Sequence, residues 1–223
     1  MKIIKFLILM QLTSLLYAEE ISNELDQLFH VKLIMISNNN SNYRDYVENY
    51  IDERFLSPKT IKIGRNNCLI NEDNVCVKYD MDYKLDNYND YVELLDSDDD
   101  IRVLEHIEWI QKIGNIKHIK IKNGYDYSQS IIDEKIFVND FDILSSGKIT
   151  KYEGSIFFSK KDFYQISLDL FERMIMKPPG FFSNNFLTSK KYKIIQKIKL
   201  NKVNYIDREN FGIIVSVSKV KEN

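Results

Sequence analysis

The chain reads as an α+β fold, a mainly antiparallel sheet with long C-terminal hairpins on which about two helices pack. Three observations predict it. Residues 192–217 hold two β-branched runs around a polar break, Asp207-Arg208-Glu209-Asn210, which is the pattern of a hairpin. Residues 154–175 repeat that pattern around Lys160-Lys161-Asp162. There Ile166, Leu168 and Leu170 fall on one side and Gln165, Ser167 and Asp169 on the other, as in a sheet with one wet face. Two further segments, 43–51 and 103–113, carry apolar residues at helical spacing. The two late hairpins are expected side by side in a common sheet.

In chain order, Lys2 and Lys5 open a short basic start, followed by the apolar run Phe6-Leu7-Ile8-Leu9-Met10 that continues to Tyr17, broken by Gln11, Thr13 and Ser14. Ala18 precedes Glu19-Glu20. This is the order of a secretory signal peptide. Its apolar core is shorter than the ~20 residues of a spanning helix, and nothing downstream is long enough to cross a bilayer. Residues 1–18 are therefore expected to be cleaved, leaving 19–223 as one exported α+β domain with no stable membrane span. Hydrophobic residues make up 44% of the chain, enough for a core, and Gly (7) and Pro (3) are too scarce for flexible linkers or glycine-rich phosphate loops. A formal charge of −2 with both signs interspersed leaves no electrostatic footprint for nucleic acid.

Phe29–Ser37 is expected to be the first strand. Tyr43, Tyr46, Val47, Tyr50 and Ile51 lie at helical spacing and read as the core face of an amphipathic helix. Thr60–Ile63 begins a strand leading to Cys68 and Cys76, the only cysteines. A polar turn between two short strands sets them opposite each other, and outside the cytoplasm a disulfide is the expected outcome. Residues 79–100 are acidic and end in Asp96-Ser97-Asp98-Asp99-Asp100. An EF-hand loop counted from Asp96 needs Gly at its sixth position and Glu at its twelfth, where this chain has Ile101 and Ile107. The run reads instead as the N-terminus of a helix traced by Val103, Leu104, Ile107, Ile110, Gln111 and Ile113, stopped at Gly114-Asn115. Trp109 beside that stripe suits either core or binding. Ile116–Lys122 alternates Ile with Lys and His as a half-exposed strand does, Gly124–Ser128 is an aromatic polar loop, and 135–144 reads as a strand.

Catalytic signatures are missing. Gly147-Lys148-Ile149-Thr150 resembles the end of a phosphate loop without its preceding Gly or its Lys-Ser/Thr adjacency. There is no G-x-S-x-G, and His30, His106 and His118 show no metal-ligand spacing. The chain is expected to be non-catalytic, with no metal and no cofactor.

Three segments together resemble the CsiV family of exported peptidoglycan-binding proteins. His30–Ile36 is similar to the family's opening strand, and Gly154–Phe158 with Phe163–Leu170 to its central hairpin. Gln196–Leu200 through Val203–Asp207 to Phe211–Val215 resembles its last hairpin, with a Gln and basic strand, a Tyr-x-Asp turn and a Phe-Gly-apolar strand. Arg208-Glu209 stands where the family has His-Pro, and Asn123-Gly124-Tyr125 where it has a Trp-x-Gln element. The resemblance implies a periplasmic envelope protein that binds peptidoglycan and supports wall synthesis, with a wall-synthesis protein as a further partner.

Glycan binding calls for aromatic faces and a few fixed polar groups. Tyr125, Tyr127, Tyr205, Asp207 and Gln196 are the candidates, each of which also reads as an ordinary structural residue. Gly212 is expected to serve backbone geometry beside the turn. Two other functions stay open: a protein-interaction scaffold that never touches glycan, and a cell-wall hydrolase.

Overall fold

A computed structural model describes residues 27–38, 60–63, 68–79, 93, 95, 97–98, 100–113, 116–134, 136, 148–176 and 185–220. Strands account for 67% of them and helix for 6%, and none of these helices reaches seven residues. The α+β expectation is corrected to an all-β sandwich. Of the two expected helices, 43–51 lies outside the described residues, and 103–113 is a strand.

The ten strands among the described residues are β1 Leu28–Asn38, β2 Cys68–Ile70, β3 Cys76–Lys78, β4 Ile101–Lys112, β5 Ile119–Asp126, β6 Thr150–Lys160, β7 Tyr164–Met176, β8 Phe186–Lys197, β9 Val203–Asp207 and β10 Phe211–Lys219. One short helix, α1 Ser128–Asp133, follows β5. A six-stranded sheet runs β3-β2-β4-β1-β10-β9 and a four-stranded meander runs β5-β6-β7-β8. One hydrophobic core joins them, with Phe29, Val31, Leu33, Trp109, Phe211 and Val215 from the larger sheet and Ile121, Tyr152, Ile156, Leu168 and Ile194 from the smaller.

The strand β1 lies between β4 and β10, antiparallel to both. Its odd positions Phe29 to Met35 fill the shared core, and its even positions His30, Lys32, Ile34 and Ile36 are buried too. A strand covered on both faces reads as a nearly continuous apolar run. On the second face Ile34 and Ile36 pack with Leu95, Ile101, Val103 and Ile214, and His30 Nε2 lies 3.2 Å from Glu108 Oε2.

The strand β4 explains its own misreading. Its register against β1 shifts between Met35 and Ile36, whose partners are Glu105 and Val103. Leu104 is the extra residue of a β-bulge, which moves the inward positions by one. Apolar side chains then occur on both faces with a phase slip between them, and their spacing imitates a helical stripe. The acidic run that ends at Asp100 therefore precedes a strand, with Asp98 Oδ1 accepting from the Asp100 N–H at 2.9 Å. Trp109 is fully buried and donates to Gln111 Oε1 at 2.7 Å, which assigns it to the core.

The C-terminal stretch also departs from expectation. The run 192–206 splits into β8 of the smaller sheet and β9 of the larger, so the hairpins β6–β7 and β9–β10 lie in different sheets, joined through the core instead of side by side. The crossing is made at Asn201, whose φ of 56° is left-handed geometry that Asn adopts more readily than most residues. Asn204 braces it, its Oδ1 accepting from the Lys199 N–H at 2.9 Å and its Nδ2 donating to Lys199 O at 3.1 Å.

The β9–β10 turn is anchored across the sandwich. Asn210 Nδ2 donates to Glu172 Oε2 at 3.2 Å, Tyr192 OH to the same oxygen at 2.9 Å, and Tyr152 OH to Glu172 Oε1 at 3.2 Å. Glu172 itself is fully buried. Burial, and then the nearby Glu172, raise the Tyr152 pKa far above its ordinary value, so this hydroxyl stays a donor.

Candidate functional site

A cleft of about 310 Å³ opens along the β5 edge of the sandwich, and four separate segments build it. Residues 60–63 lie beside β5: the Ile61 N–H donates to His118 O and the Lys120 N–H to Ile61 O, both at 2.8 Å. With Ile61 in the core, Lys62 and Ile63 reach the cleft. The strand β5 contributes Lys120 and Lys122, β4 contributes Glu105 and Ile107, and the start of β6 with its approach contributes Lys148 and Thr150.

Four lysines thus face one glutamate. Lys122 lies 3.8 Å from Glu153 Oε1, which is also held by Arg173 at 2.9 Å through Oε2. Lys148 lies 3.8 Å from Asp126 Oδ2. The Asp126 carboxyl is held below its usual range, first by hydrogen bonds from Ser128 and less by Lys148. Among the described residues Lys62 and Lys120 have no anionic partner. Glu105 forms no ion pair with any of the four lysines either; its Oε2 accepts from Asn123 Nδ2 at 2.7 Å. Asn123 Nδ2 also contacts Leu104 O, and its Oδ1 accepts from the Gly124 N–H at 2.6 Å. Gly124 has a φ of 86°, which only glycine adopts without strain, so the β5 irregularity there fixes the asparagine that orients Glu105. Unneutralised cations around a concave surface suit an anionic ligand, and Ile63 and Ile107 supply its apolar wall.

The residues singled out from sequence fall in three other places. Tyr125 and Tyr127 form an edge-to-face pair with centroids 4.9 Å apart. Tyr125 is exposed, its hydroxyl 2.9 Å from Ser130 Oγ of α1. Tyr127 belongs to a small core with Ile131, Ile136, Ile149 and Leu187, and burial pushes its pKa up to about 12. Tyr205 and Asp207 share the edge strand β9, with Tyr205 OH donating to Asp207 Oδ1 at 3.1 Å. The Tyr205 ring lies over Gly212, where a Cβ would come within 2.5 Å of its hydroxyl oxygen, so Gly212 makes room for the ring. Gln196 sits near the end of β8 with its amide on Lys197 O. No hydrogen bond or ring contact among the described residues links these three places. Cys68 and Cys76 do form the expected disulfide, with Cα atoms 5.2 Å apart.

Sequence reasoning missed Lys62, Lys120, Lys122, Lys148, Thr150 and Glu105 as a group. The Ile–Lys alternation of 60–63 and 116–122 was the available signal, since it puts lysines at successive outward positions. Lys148 and Thr150 lie in the very segment that fails as a phosphate loop.

A second polar cluster occupies the outward face of the smaller sheet. Ser155 Oγ lies 3.5 Å from His118 Nδ1, and Asp169 is the cross-strand partner of Ser155. Burial lowers the His118 pKa, against an opposing effect of Asp169. A serine beside a base invites an acyl-transfer reading, which also needs donors for an oxyanion. Here β6 is paired with β5 and β7 on both sides of Ser155, so the neighbouring backbone N–H groups are committed to the ladders. No known protein family, curated protein or solved structure matches this chain.

Proposed function

We propose that this is an exported, non-catalytic envelope protein that binds peptidoglycan and supports wall synthesis, and that its ligand-binding surface is the lysine cleft on the β5 edge. The observation that carries the reading is the pair Lys62 and Lys120, which border one cleft without an anionic partner among the described residues. Stem peptides of peptidoglycan carry carboxylates, the groups such a cleft attracts. The order of residues 1–20 supports export, and the resemblance of three segments to the CsiV family supports the wall as target. Tyr205, Asp207 and Gln196, which carry part of that resemblance, then serve the scaffold.

Co-sedimentation of the purified protein with isolated sacculi tests the proposal. Binding should weaken as salt rises, because exposed charges are screened over about 8 Å at physiological ionic strength. The double variant Lys62→Gln, Lys120→Gln should lose most of it. Sedimentation no greater than that of a control protein rejects wall binding, and undiminished sedimentation of the double variant rejects the cleft. The exposed Val203 and Tyr205 on the edge strand β9 favour a second reading, a protein-interaction scaffold. It predicts a specific crosslinked partner and no sacculus binding.

A further inference from the structure

The cleft holds charges of both signs without letting them pair. Glu105 lies among Lys62, Lys120, Lys122 and Lys148, yet among the described residues no ion pair joins it to any of them. A glutamate present only to neutralise the lysines would sit within contact of one, since attraction between opposite charges grows as their separation shrinks. Instead Asn123 holds its Oε2 at 2.7 Å, leaving Oε1 without a hydrogen-bond partner among the described residues. Asn123 is itself fixed by contacts to Leu104 O and the Gly124 N–H. The separation is therefore built by the fold, through the β4 bulge at Leu104 and the β5 irregularity after Asn123.

We infer that the cleft selects a zwitterion, an amino-acid group or short peptide that carries both an ammonium and a carboxylate, over a simple anion. The carboxylate meets Lys62 and Lys120, and the ammonium meets Glu105 Oε1. A polyphosphate or a plain polyanion would satisfy the lysines but bring negative charge against Glu105. The volume of about 310 Å³ is at the small end of ligand sites, the scale of one or two amino-acid residues and not of a polymer strand. The inference rests on the proposed ligand-binding role of this cleft and sharpens what that ligand must be.

The test uses the purified, isotope-labelled protein and four probes: diglycine, N-acetyl-diglycine, diglycine amide and inorganic phosphate. Methyl resonances of Ile63, Ile107 and Thr150 report binding. Diglycine should bind about tenfold more tightly than either half-charged analogue or phosphate, the scale of one satisfied charge contact. Glu105→Gln should reduce diglycine to the level of its N-acetyl form while leaving the N-acetyl form unweakened, and Lys120→Gln should weaken both. Phosphate binding as tightly as diglycine, or Glu105→Gln tightening every probe, overturns the inference. Sacculus binding that needs Lys62 and Lys120 but ignores Glu105→Gln also overturns it, while leaving the wall-binding proposal standing. Sedimentation with sacculi no greater than that of a control protein, with diglycine selectivity intact, rejects wall binding and leaves the inference standing.

Discussion

Two glutamates in this molecule have opposite surroundings. Glu172 is fully buried, and both of its oxygens are covered by Tyr152, Tyr192 and Asn210 at 2.9–3.2 Å, with Lys151 Nζ at 3.7 Å. Glu105 is half-exposed, holds one asparagine, and shares a cleft with four lysines without an ion pair to any of them. A buried polar group costs free energy unless its partners are supplied, so the protein completes the first set internally. The second lies where water or a ligand can complete it. Under the proposed function, the satisfied set around Glu172 belongs to the scaffold and the separated charges around Glu105 form the ligand surface.

The largest effect should come from the satisfied glutamate. Glu172→Leu strands three donors, Tyr152 OH, Tyr192 OH and Asn210 Nδ2, each costing ~1 kcal/mol or more when left unmade. We expect a loss of about 3 kcal/mol in chemical denaturation, with the β9–β10 turn released from the smaller sheet. A loss below about 1 kcal/mol would mean that the network is not what ties the two sheets at that end.

Next in size is the bridge Cys68–Cys76. Reduction should cost about 2–3 kcal/mol by the chain-entropy account of a short loop. Lys117 Nζ also ties that hairpin, donating to Asn71 O at 2.9 Å and Asn74 Oδ1 at 2.7 Å, just before β5. The reduced protein should therefore unfold at lower denaturant and still bind cleft ligands while folded. Loss of ligand binding before unfolding would show that the hairpin sets the β5 edge.

The legible parts of this fold are those where one alternation runs unbroken. Phe29–Ser37 against β10, the hairpin 154–175 and the disulfide hairpin were readable because each keeps one side-chain phase against that partner, the extra residue opposite Met35 and Ile36 belonging to β4. The strand β4 was not, because the bulge at Leu104 shifts the phase in mid-strand and apolar residues line both faces. The β8–β9 division was hidden for a related reason. Lys199, Asn201 and Lys202 look like an ordinary polar interruption, and only the left-handed Asn201 with its Asn204 brace turns them into a crossing between sheets. The cleft was illegible as a site because its residues come from four distant segments, and the β-bulge and the asparagine bracket that aim Glu105 leave no spacing in sequence.

On the other side of the comparison, Lys62→Gln and Lys120→Gln should each change stability by less than about 0.5 kcal/mol, as surface substitutions do. The sign should be stabilising, because each removes repulsion from a lysine-rich surface. Thermal melts at low salt resolve this best, where screening is weakest. A loss comparable to that of Glu172→Leu would place these lysines in the scaffold and remove the reason to treat the cleft as a binding surface.

The smallest effect concerns acid. Burial lowers the His118 pKa from its ordinary 6.5. As pH falls below that value the unfolded chain takes up a proton that the folded chain resists. The unfolded state then binds more protons, and stability falls with falling pH until the folded-state pKa is passed. Glu108 acts lower on the scale. The hydrogen bond from His30 holds its carboxyl below the ordinary 4.5, with further help from the His30, Lys32 and His106 charges against the cost of burial. Its contribution is present above 4.5 and is lost as pH drops through the folded value. Melting temperature against pH should thus fall in two limbs. His118→Asn should flatten the upper limb and leave the lower one in place, because His118 lies on the smaller sheet's outward face and Glu108 on the second face of β1 and β4. An upper limb that survives the substitution would mean that His118 titrates alike folded and unfolded. Its contact with Ser155 would then be incidental to the protein's response to acid.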